Sequence, residues 1–169
     1  MHSLRLITTS LALAAVLLPP TVTASRVDNF VLLGHKGNAH ELYYHQSASA
    51  VAIMVQTNNC PLNDADINEF NQIATDPERS TAVFFMLNST SADDRSALAE
   101  VAERLNISTP ILNDETQLIG ESLDALKSGE VIVVDPQTWA ITYRGGVDHL
   151  SAVLDANEVD AAPFSGCDI

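Results

Sequence analysis

Ala50-Val51-Ala52-Ile53-Met54-Val55-Gln56-Thr57-Asn58-Asn59-Cys60-Pro61 is the stretch on which the fold turns. Its first six residues are apolar without interruption and rich in β-branched side chains, the pattern of a strand covered on both faces. Asn58 and Asn59 end that run. Pro61 suits a first helical position, because its fixed φ is already helical and its missing N–H would have no partner there. Leu62, Ile67, Phe70 and Ile73 then recur at near-helical spacing up to Asp76-Pro77. A buried strand passes into a helix, and Cys60 stands at the junction.

Downstream the alternation repeats. Thr81 to Leu87 is a second apolar strand, and Asp93 to Leu105 a helix with acids in its first turn and Leu98, Val101, Ala102 and Leu105 on one face. Pro110-Ile111-Leu112 reads as a short extended piece and Glu115 to Leu126 as a helix. Glu130 to Val134 is a third strong strand, and Ala140 to Tyr143 follows closely enough for an antiparallel return. Val147 to Val159 predicts a closing helix before an irregular tail. Upstream, Phe30-Val31-Leu32-Leu33 and the segment from His40 to Tyr44 flank the turn residues His35-Lys36-Gly37-Asn38 as a hairpin-like lead-in. The order β-α-β-α, then β-β-α, predicts an α/β architecture, a mixed central sheet with helices on both faces.

With 169 residues, 46% of them hydrophobic, the chain can close one core but not two ordinary domains. Eight basic against 22 acidic residues leave a net charge of −14, which opposes a phosphate-tracking surface, so nucleic acid is not expected as a partner. Residues 1–24 read as a secretory signal: a weakly basic start, the Leu- and Ala-rich run Leu6 to Leu18, Pro19-Pro20, and small residues at Val22-Thr23-Ala24. That run is shorter than the roughly 20 residues that span a bilayer, so no stable membrane insertion is expected once it is cleaved. The expected location is exported, periplasmic or secreted. Such compartments are oxidising, so Cys60 and Cys167 are read either as a structural staple or as a reactive thiol and the thiol that resolves it.

At a helix start the Cys60 sulfur would face unpaired N–H groups and the positive end of the macrodipole, which favours thiolate. Asp64 and Asp66 act against this through like-charge repulsion. The plainer alternative is a small buried cysteine packed as a hydrophobe.

Thr57-Asn58-Asn59-Cys60-Pro61 matches a T-x-x-C-P element, and together with Glu130 to Asp135 and Ile141-Thr142-Tyr143-Arg144-Gly145 it makes residues 25–169 resemble the thioredoxin-like redoxin and peroxiredoxin superfamily, including exported redoxin-domain proteins with an N-x-C-P element. The resemblance implies a thioredoxin-like fold and thiol oxidoreductase activity on a peroxide or protein disulfide, recharged by an unidentified thiol reductant. It implies Cys60 as the redox-active thiol and Thr57 as its hydrogen-bonding partner, and no cofactor. Cys167, in the tail Gly166-Cys167-Asp168-Ile169, would be the resolving thiol or a static clip. Ile53 stands where peroxiredoxins open the active loop with Pro, Asn63 where a C-x-x-C would place its second Cys, and Gly129 where thioredoxin-like folds tend to carry a cis-Pro. Those departures favour the alternative, a non-catalytic thioredoxin-like binding module with structural cysteines.

Lys127 and Arg144 are the cations closest in sequence to where a peroxiredoxin-like Arg would serve the thiolate. His35, His40 and His45 recur every five residues, which matches neither a helix face nor one side of a strand, so they read as solvated or turn histidines and no metal site is expected. A copper carrier would want two close cysteines and a His, where only Cys60 and His149 are at hand. Trp139, Tyr43 and Tyr44 read as packing residues, and Asp93-Asp94 as cap and dipole partners.

Overall fold

The computed structural model describes residues 26–58, 60, 64–125, 127–156, 164 and 166–168. Residues 1–24, the candidate signal, lie outside them. Among the described residues no helix is long and apolar enough to cross a membrane.

The three apolar runs form the middle of the sheet. Strands β3 (Val51–Val55), β4 (Val83–Asn88) and β5 (Ile111–Asn113) run parallel. They are linked by α1 (Asp64–Thr75) and α2 (Arg95–Arg104). On the other side of β3, β7 (Val131–Asp135) pairs antiparallel and β8 (Ala140–Gly145) returns along it with a bulge at Val133/Val134. The hairpin β1 (Val31–Gly34) and β2 (Ala39–Glu41) extends the sheet beyond β5, for an order β2-β1-β5-β4-β3-β7-β8. This is a mixed sheet with helices on both faces.

The period-two alternation of the central strands divides the core. Ala52, Met54, Phe84, Met86, Val131 and Val133 face Ile67 and Phe70 of α1, Leu98 and Ala102 of α2, and Leu150 and Val153 of α4 (Leu150–Ala156). Val51, Ile53, Val55, Phe85, Leu87, Ile132 and Val134 face Leu42, Leu123 and Trp139, with Ile119 of α3 (Leu118–Ser122) packed alongside. Every residue of β3 is buried, as a strand covered on both faces requires.

Three expectations about elements are corrected. The helix read from Glu115 covers only α3, because the buried Asp114 carboxylate accepts the Ile119 and Gly120 N–H groups at 3.0 and 2.8 Å and so starts the helix late. The closing helix opens with a 3-10 turn at Val147–His149, and residues 157–159 lie outside the described part. Tyr44 is not a packing residue; it is 82% exposed, whereas the rings of Tyr43 and Trp139 stack at 4.2 Å.

Candidate functional site

Cys60 lies just past the carboxyl end of β3, where the sheet switches from parallel β4 on one side to antiparallel β7 on the other. This edge is where open α/β sheets bind ligands. Pro61 lies outside the described residues, and the first described helical residue is Asp64. Cys60 is partly exposed and joined by a disulfide to Cys167, with Cα atoms 6.1 Å apart across 107 positions of sequence. The two cysteines are therefore one element, in its oxidised form.

Thr57 meets Cys60 through the backbone. The Cys60 N–H donates to Thr57 Oγ1 at 3.3 Å, and the Thr57 N–H donates to Ser128 Oγ at 3.1 Å. Ser128 belongs to the two-residue strand β6 (Lys127–Ser128), whose antiparallel partner is β9 (Cys167–Asp168), with Ser128 directly opposite Cys167. Ser128 is the joint of the site: its side chain holds the Cys60 loop and its backbone holds the tail. A Cβ on Gly166 would overlap the Ser128 carbonyl oxygen, so only glycine lets the tail come this close. Gly129, with φ +92°, turns the chain here and donates its N–H to Val55 O at 2.7 Å.

A buried polar network fixes the other flank of the loop. Asp93 Oδ2 accepts from the Asn58 N–H at 2.9 Å and from Asn88 Nδ2 at 2.8 Å. Asn88 Nδ2 also donates to Gln56 Oε1 at 3.2 Å, and Gln56 Nε2 to Asn58 Oδ1 at 2.8 Å. Asn88, Gln56 and Asp93 are 0, 1 and 5% exposed, so the two bonds donated by Asn88 form out of water's reach, while those to Asn58 are partly buried. The Asp93-Asp94 pair is therefore only half a cap. Asp94 accepts the Ala97 N–H at 2.8 Å as the N-cap of α2, while Asp93 turns inward to the Cys60 loop. Asn88, Gln56 and Ser128 escaped the sequence reading, and Asp93 was read as a cap rather than as a partner of the Cys60 loop. The only local sign was two acids in a row where one suffices to cap.

Neither Lys127 nor Arg144 contacts Cys60. Arg144 is taken by Glu130 at 2.9 Å and by the Leu123 and Asp124 carbonyls, and Lys127 Nζ reaches Phe164 O at 3.5 Å. His149 pairs with Asp148 at 2.9 Å. Among the described residues no group of three His, Cys, Asp or Glu side chains could hold a metal ion. His35, His40 and His45 are brought together at the opposite edge of the sheet. His35 lies in a turn, as one of the two readings had it, but none of the three is fully solvated, and burial holds all three imidazoles below their usual 6.5.

No family model matches the sequence, and no curated protein matches it significantly. Solved structures do. An uncharacterised conserved protein from Geobacillus kaustophilus is 26% identical, with a TM-score of 0.78 over 94% of this chain and 97% of that one. Peroxidoxin BcpB from Mycobacterium tuberculosis is 17% identical, with a TM-score of 0.66 over 81% of this chain and 98% of that one. A secreted M. tuberculosis disulfide oxidoreductase homologous to Escherichia coli DsbE is 16% identical, with a TM-score of 0.63 over 75% and 95%. The chain has the thioredoxin-like fold that runs through the redoxin and peroxiredoxin superfamily.

Proposed function

We propose that the chain is an exported thiol-dependent oxidoreductase that reduces a peroxide, with Cys60 as nucleophile and Cys167 as resolving thiol. The observation that carries this reading is a disulfide between a cysteine on a firmly held loop at the ligand-binding edge of the sheet and an exposed cysteine on a separate tail. The Cys60 thiolate attacks one peroxide oxygen; the O–O bond breaks, the sulfur becomes a sulfenic acid, and the other oxygen leaves as an alcohol or water after taking a proton. The Cys167 thiol then attacks that sulfur, forming the S–S bond and releasing water. An external dithiol reduces the disulfide through a mixed disulfide, and Cys167, the exposed residue of the pair, is where it can enter. Thr57 acts as a positioning residue, its hydroxyl oxygen accepting the Cys60 N–H. The candidate signal over residues 1–24 supports delivery to a compartment where such a bond persists.

Exposure of Cys167 equally suits disulfide exchange with a protein thiol, the second reading. The test reduces the purified protein, adds one equivalent of hydrogen peroxide and follows it by mass spectrometry. The Cys60–Cys167 disulfide is expected to return quickly, Cys167→Ser to stop at a dimedone-trappable sulfenate, and Cys60→Ser to lose the reaction. A folded, reduced protein whose Cys60 stays inert to peroxide but exchanges with a protein disulfide selects the second reading. Inertness to both leaves a binding module with structural cysteines.

A further inference from the structure

A side chain ties the hairpin to the amino end of β5. β1 pairs with β5 at Leu33 opposite Asn113 and Gly34 opposite Leu112, and the next rung falls on His35 and Ile111. In a regular antiparallel ladder the two residues of a hydrogen-bonded rung exchange two backbone bonds. Here one of the two is replaced. The His35 N–H donates to Ile111 O at 2.8 Å, while the Ile111 N–H donates to Nδ1 of the His35 ring at 3.0 Å. The imidazole stands in for a main-chain carbonyl. Because β3, β4 and β5 are parallel, this rung lies at the edge of the sheet opposite Cys60, and the redox reading does not enter it.

A carbonyl accepts a hydrogen bond at any pH, whereas an imidazole does not. Nδ1 has a lone pair for Ile111 only while the ring is neutral with its proton on Nε2. A further proton makes Nδ1 a donor aimed at another donor, on a residue that is 0% exposed. His35 itself is 8% exposed and its Nε2 is buried without a partner, so the protonated ring would keep a charge and two unanswered N–H groups away from water. The charged and titratable groups that face it among the described residues are Lys36, next in its own turn, and His40 on β2, and both act against another positive charge. Ser108 and Pro110, which precede β5, carry none. The His40 ring lies across the turn, within 2.9 Å of where a Cβ on Gly34 would stand, and His45 beyond it feels His40 in turn. Burial first, then Lys36 and His40, hold the His35 ring below its usual 6.5. The ring also has an exit, for Lys36, Gly37 and Asn38 are exposed and Gly37, at φ +82°, has open space around it.

We propose that His35 is a proton-operated latch between the β1–β2 hairpin and β5. With the ring neutral the latch is closed. A proton taken from solvent by Nδ1 withdraws the acceptor from the Ile111 N–H, the charged ring swings out to water, and the turn over residues 34–38 lifts from the amino end of β5. The rest of the hairpin stays, because Leu32, Leu42 and Tyr43 are packed in the core and Asn29 holds both the Glu41 side chain and the Tyr43 N–H. The opening is therefore local to one end of the sheet edge.

The test follows hydrogen exchange at the Ile111 amide of the purified protein between pH 7.5 and 5.5, expressed as protection factors so that the intrinsic pH dependence of exchange is removed. A ring of ordinary basicity in the open form makes opening about tenfold more frequent over that range, and Ile111 protection should fall by that factor. Its exchange should also be indifferent to low urea, the mark of a local opening, where the β7 and β8 amides respond. His35→Asn offers an acceptor that does not titrate and should keep Ile111 protected with a flat pH response, whereas His35→Ala should leave it unprotected at both ends of the range. Constant protection in the wild type, the wild-type pH response persisting in His35→Asn, or Ile111 exchange that follows urea as the β7 and β8 amides do, overturns the proposal.

Discussion

Cys60 and Cys167 share one bond, yet opposite forces hold the chain on its two sides. The Cys60 loop continues a fully buried strand, and Asp93 and Ser128 take the N–H groups of Asn58 and Thr57. Cys167 sits exposed in a two-residue strand whose ladder, among the described residues, pairs with Lys127 and Ser128. One side is anchored by the core. Among the described residues the other is held by the disulfide, the close approach at Gly166 and the Lys127 bond to Phe164 O. Reducing the bond should therefore leave the Cys60 loop in place and release the tail, which on the proposed function would keep the attacking sulfur positioned while its partner comes and goes.

The largest effect that can break this contrast is removal of the bond. Reduction, or Cys167→Ser, should cost about 2–4 kcal/mol in urea unfolding, because a cross-link spanning 107 positions strongly restricts the unfolded chain. Hydrogen exchange sharpens the point. The β6–β9 amides should lose protection on reduction, while the Thr57 amide, bonded to Ser128 Oγ, keeps its own. Equal loss at both places would show that the disulfide, not the polar network, holds the Cys60 loop.

Asp93→Ala tests the anchored side. It strips the Asn58 N–H and Asn88 Nδ2 of a buried charged acceptor, and a loss of about 2–3 kcal/mol is expected, against about 1 kcal/mol for the N-cap variant Asp94→Ala. The Asp93 variant should also slow re-formation of the disulfide after peroxide, which the Asp94 variant should not. Matching losses in the two variants would reduce Asp93 to a second cap.

The smallest expected effect lies at the far edge of the sheet. Burial lowers the folded-state pKa of His35, His40 and His45, with Lys36 and the neighbouring imidazole of His40 adding to it. The unfolded chain then binds more protons as pH falls below about 6.5, so this contribution to stability is present above that pH and is lost as pH drops toward the folded-state values. The urea midpoint in sulfonate buffers should fall from about pH 7.5 to 5.5, and His40→Gln should flatten the slope. A midpoint that rises over that range would contradict the burial of these rings.

The strands were legible because continuous apolar runs at Val51–Val55, Val83–Leu87 and Val131–Val134 have few other solutions than a two-sided sheet. Trp139 and Tyr43 were legible as packing residues for a similar reason. The length of α3 was not, because the buried Asp114 carboxylate sets its start, and burial of a carboxylate leaves no local trace. His35 resisted for another reason. A spacing of five residues carries no facial periodicity, and only the β1–β2 hairpin brings the three imidazoles to one groove.

By itself the sequence determined the alternation of strands and helices, the placement of Cys60 after the first buried strand, and the scarcity of positive charge, all of which follow from local pattern and composition. Only the tertiary structure decided that Cys167 meets Cys60, that Asp93 rather than its neighbour serves the loop, and that His35 presents an unanswered donor. Each of these depends on which groups are brought together and deprived of water, and that is a property of chain segments far apart in sequence.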